Sequence, residues 1–388
     1  MYSETLGLTG SNVYIYGFGL TGKWLSGNLD CHVRGFIDTD EKKVGRTFNG
    51  IKVLSLEQAK KTLDGDSQIV VTVVDIQDVV PIVEALPHKD WVPLGIYLNE
   101  TKALNNNTEE SDSYIEYALK VVEGCHKAYF LKDVLYLRSI DIVITEKCSL
   151  RCKDCSNLMQ YYEAPVDITF NEIVMDFEKL VSSVDHIYEI RLIGGEPFMN
   201  KDIYKILRHM IESPKVSSIV IYSNASIPVK MGEVDTIRHP KVVFSLTDYG
   251  DLSKNTSKVV QSLKDIGATF RLQPPMNWTD SSEIQDYNRT KDEVEKLFAD
   301  CCGKNLLTAT NGKLYRCPFA ANAERLQAIP RDPANSVLLD AGRDAFRRYT
   351  TSINYIPACN FCKGRSFGAP EIEPAIQSEQ PIPYRKYI

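Results

Sequence analysis

Twice along this chain, strand-length apolar runs alternate with helical patterns, and this alternation restricts the fold more than any other feature. Across residues 12–98, Val13–Tyr16, Val33–Ile37 and Ile69–Val74 read as buried strands, while Leu56–Leu63 and Val79–Leu86 carry helical apolar spacing. A polar, Asn-rich stretch, Asn99–Ser113, reads as a linker. The amphipathic segment Tyr114–Val122 then leads into a second series, with strands at Ile140–Ile144, Ile187–Ile193, Ser218–Tyr222, Val242–Leu246 and Thr269–Leu272. Helical patterns lie between them at Phe170–Val181, Ile203–Ile211 and Lys258–Ile266. The cadence predicts an α/β fold: a Rossmann-like parallel sheet first, then a partial or full barrel of βα units. From about Leu297 the cadence gives way to cysteine, Gly and Pro, and Ala369–Ile388, with four prolines, is expected to lie extended on the surface. The expected domains are 1–105, a helical linker at 106–133, a barrel at 134–290 and a small cysteine-rich domain at 291–388.

The net charge of −6, from 45 basic and 51 acidic residues, gives no basic excess for a nucleic acid or an anionic membrane surface. Apolar runs such as Gln68–Val74 fall far short of the ~20 residues that span a bilayer. The opening Met1-Tyr-Ser-Glu-Thr has no basic or apolar leader, so the expected location is the cytoplasm. Thiols stay reduced there, and the ten cysteines need a reason other than disulfides. Eight stand in groups: Cys148, Cys152 and Cys155; Cys301 and Cys302; Cys317; Cys359 and Cys362. Grouped thiols in a reducing compartment point to metal. Cys31 and Cys125 sit in apolar surroundings and read as small core residues.

The triplet Cys148-x3-Cys152-x2-Cys155 follows the predicted strand Ser139–Ile144. Three thiolates can hold three irons of a [4Fe–4S] cube and leave the fourth open, and loops after parallel barrel strands are where barrel active sites sit. Spacing alone leaves a zinc site or buried free cysteines open, although no fourth Cys or His lies near. The stretch CSLRCKDCS resembles the CxxxCxxC motif of radical S-adenosylmethionine (SAM) enzymes, and Gly194-Gly195-Glu196-Pro197, after the second barrel strand, resembles their GGEP motif. The resemblance covers about residues 134–290. It implies a cluster on Cys148, Cys152 and Cys155 that cleaves SAM, whose amino and carboxylate groups chelate the open iron. Backbone groups of Gly194–Pro197 are expected to receive the SAM amine, small residues letting the main chain come close. Ser223, Asn224 and Ser245 match ribose-contacting positions, with a satisfied strand hydroxyl the alternative for Ser245. The family has an aromatic residue just before the third cysteine, near the adenine; here it is Asp154.

Cys302, Cys317, Cys359 and Cys362 supply four more thiols, with Asn311-Gly312 marking a hairpin turn before Cys317. A zinc ribbon is one reading. Beside a radical SAM core the pattern resembles the twitch domain, the shortened relative of the SPASM domain. That implies one auxiliary [4Fe–4S] cluster, hence two in all. Spacing is especially similar to that of the aminocyclitol dehydrogenase in the twitch group. Cys302 is the expected ligand, and Cys301 a bystander or hydrogen-atom donor.

Gly17-Phe-Gly19-Leu-Thr-Gly22 follows a strand and opens a helix, and Asp38 ends the next strand. Such glycines let a backbone approach phosphate, and such an acid meets a ribose hydroxyl. With Val44-Gly45 and Ile51-Lys52-Val53, residues 11–98 resemble the Rossmann-like domain that precedes sugar-nucleotide acetyltransferases. This implies a nucleotide or nucleotide-sugar ligand, or else a docking module. Together the resemblances imply an oxidoreductase that dehydrogenates or epimerises a carbohydrate or nucleotide-sugar, fed electrons by a flavodoxin or ferredoxin, with no nucleic-acid or membrane partner. A ribosomal peptide maturase and an iron–sulfur redox or scaffold protein are the alternatives.

Overall fold

The computed structural model describes residues 2–9, 12–100, 105–131, 133–366 and 369–387, so part of the expected linker lies outside the described residues. The chain forms two compact units, residues 1–138 and 139–388. The first unit contains β1 (Val13–Tyr16), α1 (Leu20–Ser26), β2 (Val33–Ile37), β3 (Ile51–Leu54), α2 (Leu56–Thr62), β4 (Gln68–Val71), α3 (Ile76–Glu84), β5 (Asp90–Pro93) and α4 (Asp112–Phe130). Its parallel strands lie in the order β3-β2-β1-β4-β5, with Thr47–Phe48 antiparallel at the β3 edge. This is the doubly wound order, whose ligand crevice lies at the carboxyl ends where β1 and β4 diverge. All four β1 residues are buried. Alternate side chains feed two cores: Val13 and Ile15 join Phe36 and Val70, while Tyr14 and Tyr16 join Ile37 and Ile69. A strand covered on both faces explains the unbroken apolar run. The amphipathic segment around Tyr114–Val122 lies in a 19-residue helix, α4, which packs Ile115, Leu119 and Val122 into the core of this unit.

The second unit continues with β6 (Tyr136–Thr145), α5 (Phe170–Ser182), β7 (His186–Gly194), α6 (Ile203–Ile211), β8 (Val216–Ser223), α7 (Val234–Ile237), β9 (Val242–Thr247), α8 (Thr256–Ile266) and β10 (Thr269–Gln273). Neighbours in sequence are neighbours in the sheet, and β7 to β10 pair in parallel. Thr169 starts α5 with a capping box: its hydroxyl accepts the Glu172 N–H, and the Glu172 carboxylate accepts the Thr169 N–H. Such a cap contributes about 1 kcal/mol. On the β6 edge the sheet gains β11 (Thr308–Thr310), parallel to β6, followed by the antiparallel strands β12 (Lys313–Tyr315) and β13 (Ser336–Leu338). Asn311 and Gly312 turn β11 into β12 with φ of 54° and 73°, the paired positive φ that Asn-Gly favours. The helices α9 (Lys291–Ala299), α10 (Pro318–Arg325) and α11 (Arg343–Thr351) complete the unit. The tail does more than lie on the surface: Ile382 and Tyr387 donate main-chain N–H groups to Gln160 and Gln327 carbonyls. Among the described residues no helix is long and apolar enough to cross a membrane.

Candidate active site

The first cysteine loop leaves the carboxyl end of β6, and its base is braced before it starts. Thr145 Oγ1 donates to Asp167 Oδ1 (2.8 Å), Lys147 Nζ meets Asp167 Oδ2 (2.8 Å), and Glu146 is buried against Arg325. The Gly194–Glu196 turn at the end of β7 lies directly on this base. Gly195 N–H donates to the Thr145 carbonyl and Glu196 N–H to that of Lys147, both at 2.9 Å. A Cβ on Gly194 would stand 2.0 Å from the Thr145 oxygen, and one on Gly195 2.0 Å from the Lys147 oxygen; Gly194 also has φ of 130°. A close approach to the neighbouring strand end therefore demands glycine at both positions. Asn157 Nδ2 donates to the Gly194 carbonyl at 3.1 Å, tying the far side of the loop to the same turn.

Glu196 is buried, and burial pushes its carboxyl up to about 7 against hydrogen bonds from Asn224, Phe198 and Ser223. Ser223 Oγ donates to Glu196 Oε1 (3.0 Å) and accepts the Ala225 N–H (3.1 Å), so its hydroxyl has partners within the protein. Asn224 N–H donates to Glu196 Oε2 (2.9 Å), and its side-chain Nδ2 reaches Ser149 Oγ (3.0 Å) and Cys148 Sγ (3.9 Å). Glu196 thus acts as the peg that sets Asn224 beside the triplet. Pro197 is buried at the start of a short 3-10 turn. Ser245 is half-buried on β9, opposite Tyr222 of β8 and Arg271 of β10. Asp154 is half-buried.

The three thiols face one another closely enough to feel each other's charge, Cys148 sensing both Cys155 and Cys152. Burial pushes Cys148 and Cys155 up and Cys152 to about 11. Against that trend, the main-chain N–H groups of Met159, Asn157 and Leu158 favour the charged form of Cys155, and the turn is held by the Leu158 N–H on the Cys155 carbonyl at 2.9 Å, with Leu158 at φ of 60°. Main-chain N–H groups aimed at a sulfur favour thiolate, and a bound metal reverses the effect of burial. Among the described residues no three His, Cys, Asp or Glu side chains are drawn together tightly enough to hold a single metal ion. The donor set suits a cube, which spreads its thiolates around a larger body than one ion. Tyr249, which the sequence reading missed, feels all three thiols and is pushed up to about 12, mainly by burial.

Below the loop, alternate strand residues turn polar groups to one face. Asp141 of β6 pairs with Arg191 of β7, beside Glu189, and the Arg191 guanidinium lies 6.0 Å from the Tyr222 ring. Burial pushes Asp141 up to about 6 despite Arg191. Arg191 Nη2 is buried without a hydrogen-bond partner among the described residues.

The second cysteine set gathers around one apolar cavity, lined by Cys301, Cys317, Cys359 and Cys362 with Phe298 and Phe319. Cys317, Cys359 and Cys362 each feel the charge of Cys301. Cys302 is exposed and feels only Cys301 among the thiols. Cys301 rather than the expected Cys302 lines the cavity with the other three: the Cys302 N–H is bonded to the Arg365 carbonyl at 2.8 Å. Arg289 Nη1 donates to the carbonyls of Cys359 (2.9 Å) and Cys362 (2.8 Å), and sequence spacing carried no sign of it.

In the first unit, Gly17 has φ of 112°, and a Cβ on Gly22 would stand 2.0 Å from the Gly17 oxygen. Gly19 alone of the three faces open space. Asp38 Oδ2 accepts the Phe18 N–H (2.8 Å), Oδ1 accepts the Asp40 N–H (2.9 Å), and Lys43 lies 3.3 Å away. The carboxylate expected at a ribose thus also holds the glycine loop. Cys125 is buried on α4, and Cys31 is half-buried against the β1 core.

A cysteine triplet and a Gly-Gly-Glu-Pro turn on consecutive strand ends are similar to the motifs of radical SAM enzymes. Residues 142–251 match the family model described as "Radical SAM superfamily", and residues 9–89 match that described as "CoA binding domain", a Rossmann-like module. The first family implies a [4Fe–4S] cluster and SAM. The chain is 22% identical over 286 residues to a GTP 3',8-cyclase of Clostridium acetobutylicum, covering 66% of this chain and 86% of that one. It is 25% identical over 150 residues to a GTP 3',8-cyclase of Syntrophomonas wolfei, covering 34% of this chain and spanning only 44% of that relative. Among solved structures, BtrN in complex with AdoMet and 2-DOIA is similar at a TM-score of 0.40 and 14% identity, over 59% of this chain and 93% of that one.

Proposed function

We propose that this chain abstracts a hydrogen atom from carbon in a carbohydrate or nucleotide-sugar, ending in dehydrogenation or epimerisation. The observation that carries the reading is the seating of the Gly194–Glu196 turn on the base of the Cys148–Cys155 loop. A cluster held by Cys148, Cys152 and Cys155 would supply one-electron cleavage of SAM to methionine and a 5′-deoxyadenosyl radical. The chain's own part is to position and to exclude water. Glu196 fixes Asn224 beside Cys148, Tyr249 offers the aromatic ring that position 154 lacks, and Asp141, Arg191 and Ser245 give a substrate polar partners on one face.

In the dehydrogenase version a secondary alcohol would give a hydrogen atom from carbon to the 5′-deoxyadenosyl radical, which becomes 5′-deoxyadenosine, then a proton from oxygen to solvent, and one electron would leave as the ketone forms. Cys301, Cys317, Cys359 and Cys362 would hold the auxiliary cluster of a twitch domain, which supplies a one-electron acceptor. The first electron would come from a flavodoxin or ferredoxin. The first unit would take a nucleotide-containing ligand at Gly17–Gly22, coenzyme A included. The GTP 3',8-cyclase relatives favour a second reading, radical cyclisation of a purine nucleotide.

One experiment separates them. The reconstituted chain, SAM and a reductant are incubated with nucleotide-sugars deuterated on the sugar carbons and, separately, with deuterated GTP. Deuterium appearing in 5′-deoxyadenosine identifies the substrate. A product lighter by two hydrogens marks dehydrogenation, one carrying solvent hydrogen marks epimerisation, and an isomer of GTP marks cyclisation. No deuterium transfer from any sugar overturns the carbohydrate reading.

A further inference from the structure

The tail crosses the first cysteine loop as a short antiparallel strap. Cys152 and Gln377 form a β-bridge, Lys153 N–H donates to the Ile376 carbonyl (2.7 Å), and Ser378 N–H donates to the Arg151 carbonyl (2.7 Å). Arg151 adds a side-chain bond from Nη1 to the Glu379 carbonyl at 3.0 Å. At the centre of the strap stands the Gln377 amide. Its Oε1 accepts the Arg151 N–H (2.8 Å), and its Nε2 donates to the Ala375 carbonyl (2.7 Å) and to Cys152 Sγ (3.3 Å). The first two partners are main-chain groups of fixed polarity, so they decide which end of the amide faces the sulfur: the N–H end does. Ala375 is buried and holds φ of 59° in this position, a left-handed conformation that L-residues rarely adopt. Further along, the Tyr384 ring packs edge-on to Tyr161 at 5.7 Å, and its hydroxyl donates to the Leu326 carbonyl, anchoring the strap downstream.

We propose that Gln377 is a positioning residue whose side-chain N–H tunes the reduction potential of the cluster bound through Cys152. A hydrogen bond to a ligating sulfur offsets negative charge, which favours the reduced, more negative state and raises the potential. The inference rests on Cys148, Cys152 and Cys155 holding a cluster, and that reading fails separately, as unmodified protein that takes up no iron at the triplet.

The test is a redox titration of the reconstituted full chain, followed by the electron paramagnetic resonance signal that changes on adding SAM. Gln377→Leu removes the donor; Gln377→Glu keeps the Oε1 acceptor for Arg151 N–H and replaces the donor with negative charge. Both variants should keep full iron and shift the midpoint to more negative potential, Gln377→Glu the further. An unchanged or raised midpoint in either variant overturns the proposal. Loss of cluster iron in both also overturns it, in favour of a strap that only holds the loop in place.

Discussion

His126 is fully buried on α4, where Nδ1 accepts the Gly95 N–H (3.0 Å) and Nε2 donates to the Val73 carbonyl (2.8 Å). Burial lowers its pKa from 6.5 to about 4, against the bond to Val73. The unfolded chain therefore binds the proton first as pH falls. Stability from this group is fully present above about pH 6.5 and is lost progressively down to about pH 4, by about 3 kcal/mol in total. Urea unfolding between pH 8 and 4 should show that slope, and His126→Gln should flatten it while lowering stability at pH 8; an unchanged slope counts against the assignment. Gly194 makes a second prediction. Ala there combines φ of 130° with a Cβ 2.0 Å from the Thr145 oxygen, so strain and overpacking together should cost about 2–6 kcal/mol in urea unfolding. Sequence identified these glycines but not the strand end packed against them, because a close neighbour and a close ligand call for the same residue. Asp38 and Ser223 have partners that sequence does not show: an acid or hydroxyl at a strand end serves a loop N–H or a buried carboxylate as well as a ribose.

Among elements, the long periodic ones were legible and the short pinned ones were not. The strands predicted around Ile140, Ile187, Ser218, Val242 and Thr269 all appear in order, since alternation and burial specify them without distant help. By contrast β11 and β13 are three residues each and exist through pairing with partners far away in sequence. Their site-bearing region is tied to the cysteine loop by α10, whose Arg325 meets Glu146 with both side chains nearly buried. Glu146 Oε2 also accepts the Val166 N–H at 3.0 Å, so it braces the loop on two sides. Arg325→Met leaves that carboxylate buried and unpaired and should cost about 3–5 kcal/mol. Adding Glu146→Gln should recover a substantial part, because the desolvated charge is gone. A double-mutant cycle in urea checks this: strictly additive losses would show that the two groups do not act as a pair.

At the scale of the whole molecule the two cysteine sets are separate constructions, each with its own shell. The triplet is held by β6, the Gly194–Glu196 turn and the tail strap. The second set is held by the N-terminus of α10, where the Cys317 sulfur accepts the Ala320 N–H (3.5 Å), and by Arg289 on the carbonyls of Cys359 and Cys362. Because no ligand is shared, removing one set should leave the other intact. Anaerobically reconstituted chain should hold about eight irons, four per cube, and about four after Cys148, Cys152 and Cys155 are changed to Ala. The adjacent pair gives the sharper test. Cys301 lines the cavity with Cys317, Cys359 and Cys362, while Cys302 is exposed with its N–H tied to Arg365. Swapping their roles would require the chain at 301–302 to rotate and give up that bond and the Gly303 N–H bond to Cys301 Sγ at 3.3 Å. Cys301→Ala should therefore drop iron to about four while SAM still perturbs the remaining cluster, and Cys302→Ala should keep about eight. The opposite pattern would return the ligand to Cys302. Iron staying near four in the unmodified chain, with zinc bound at the second set, would make that site a zinc ribbon and remove the internal electron acceptor from the dehydrogenase reading.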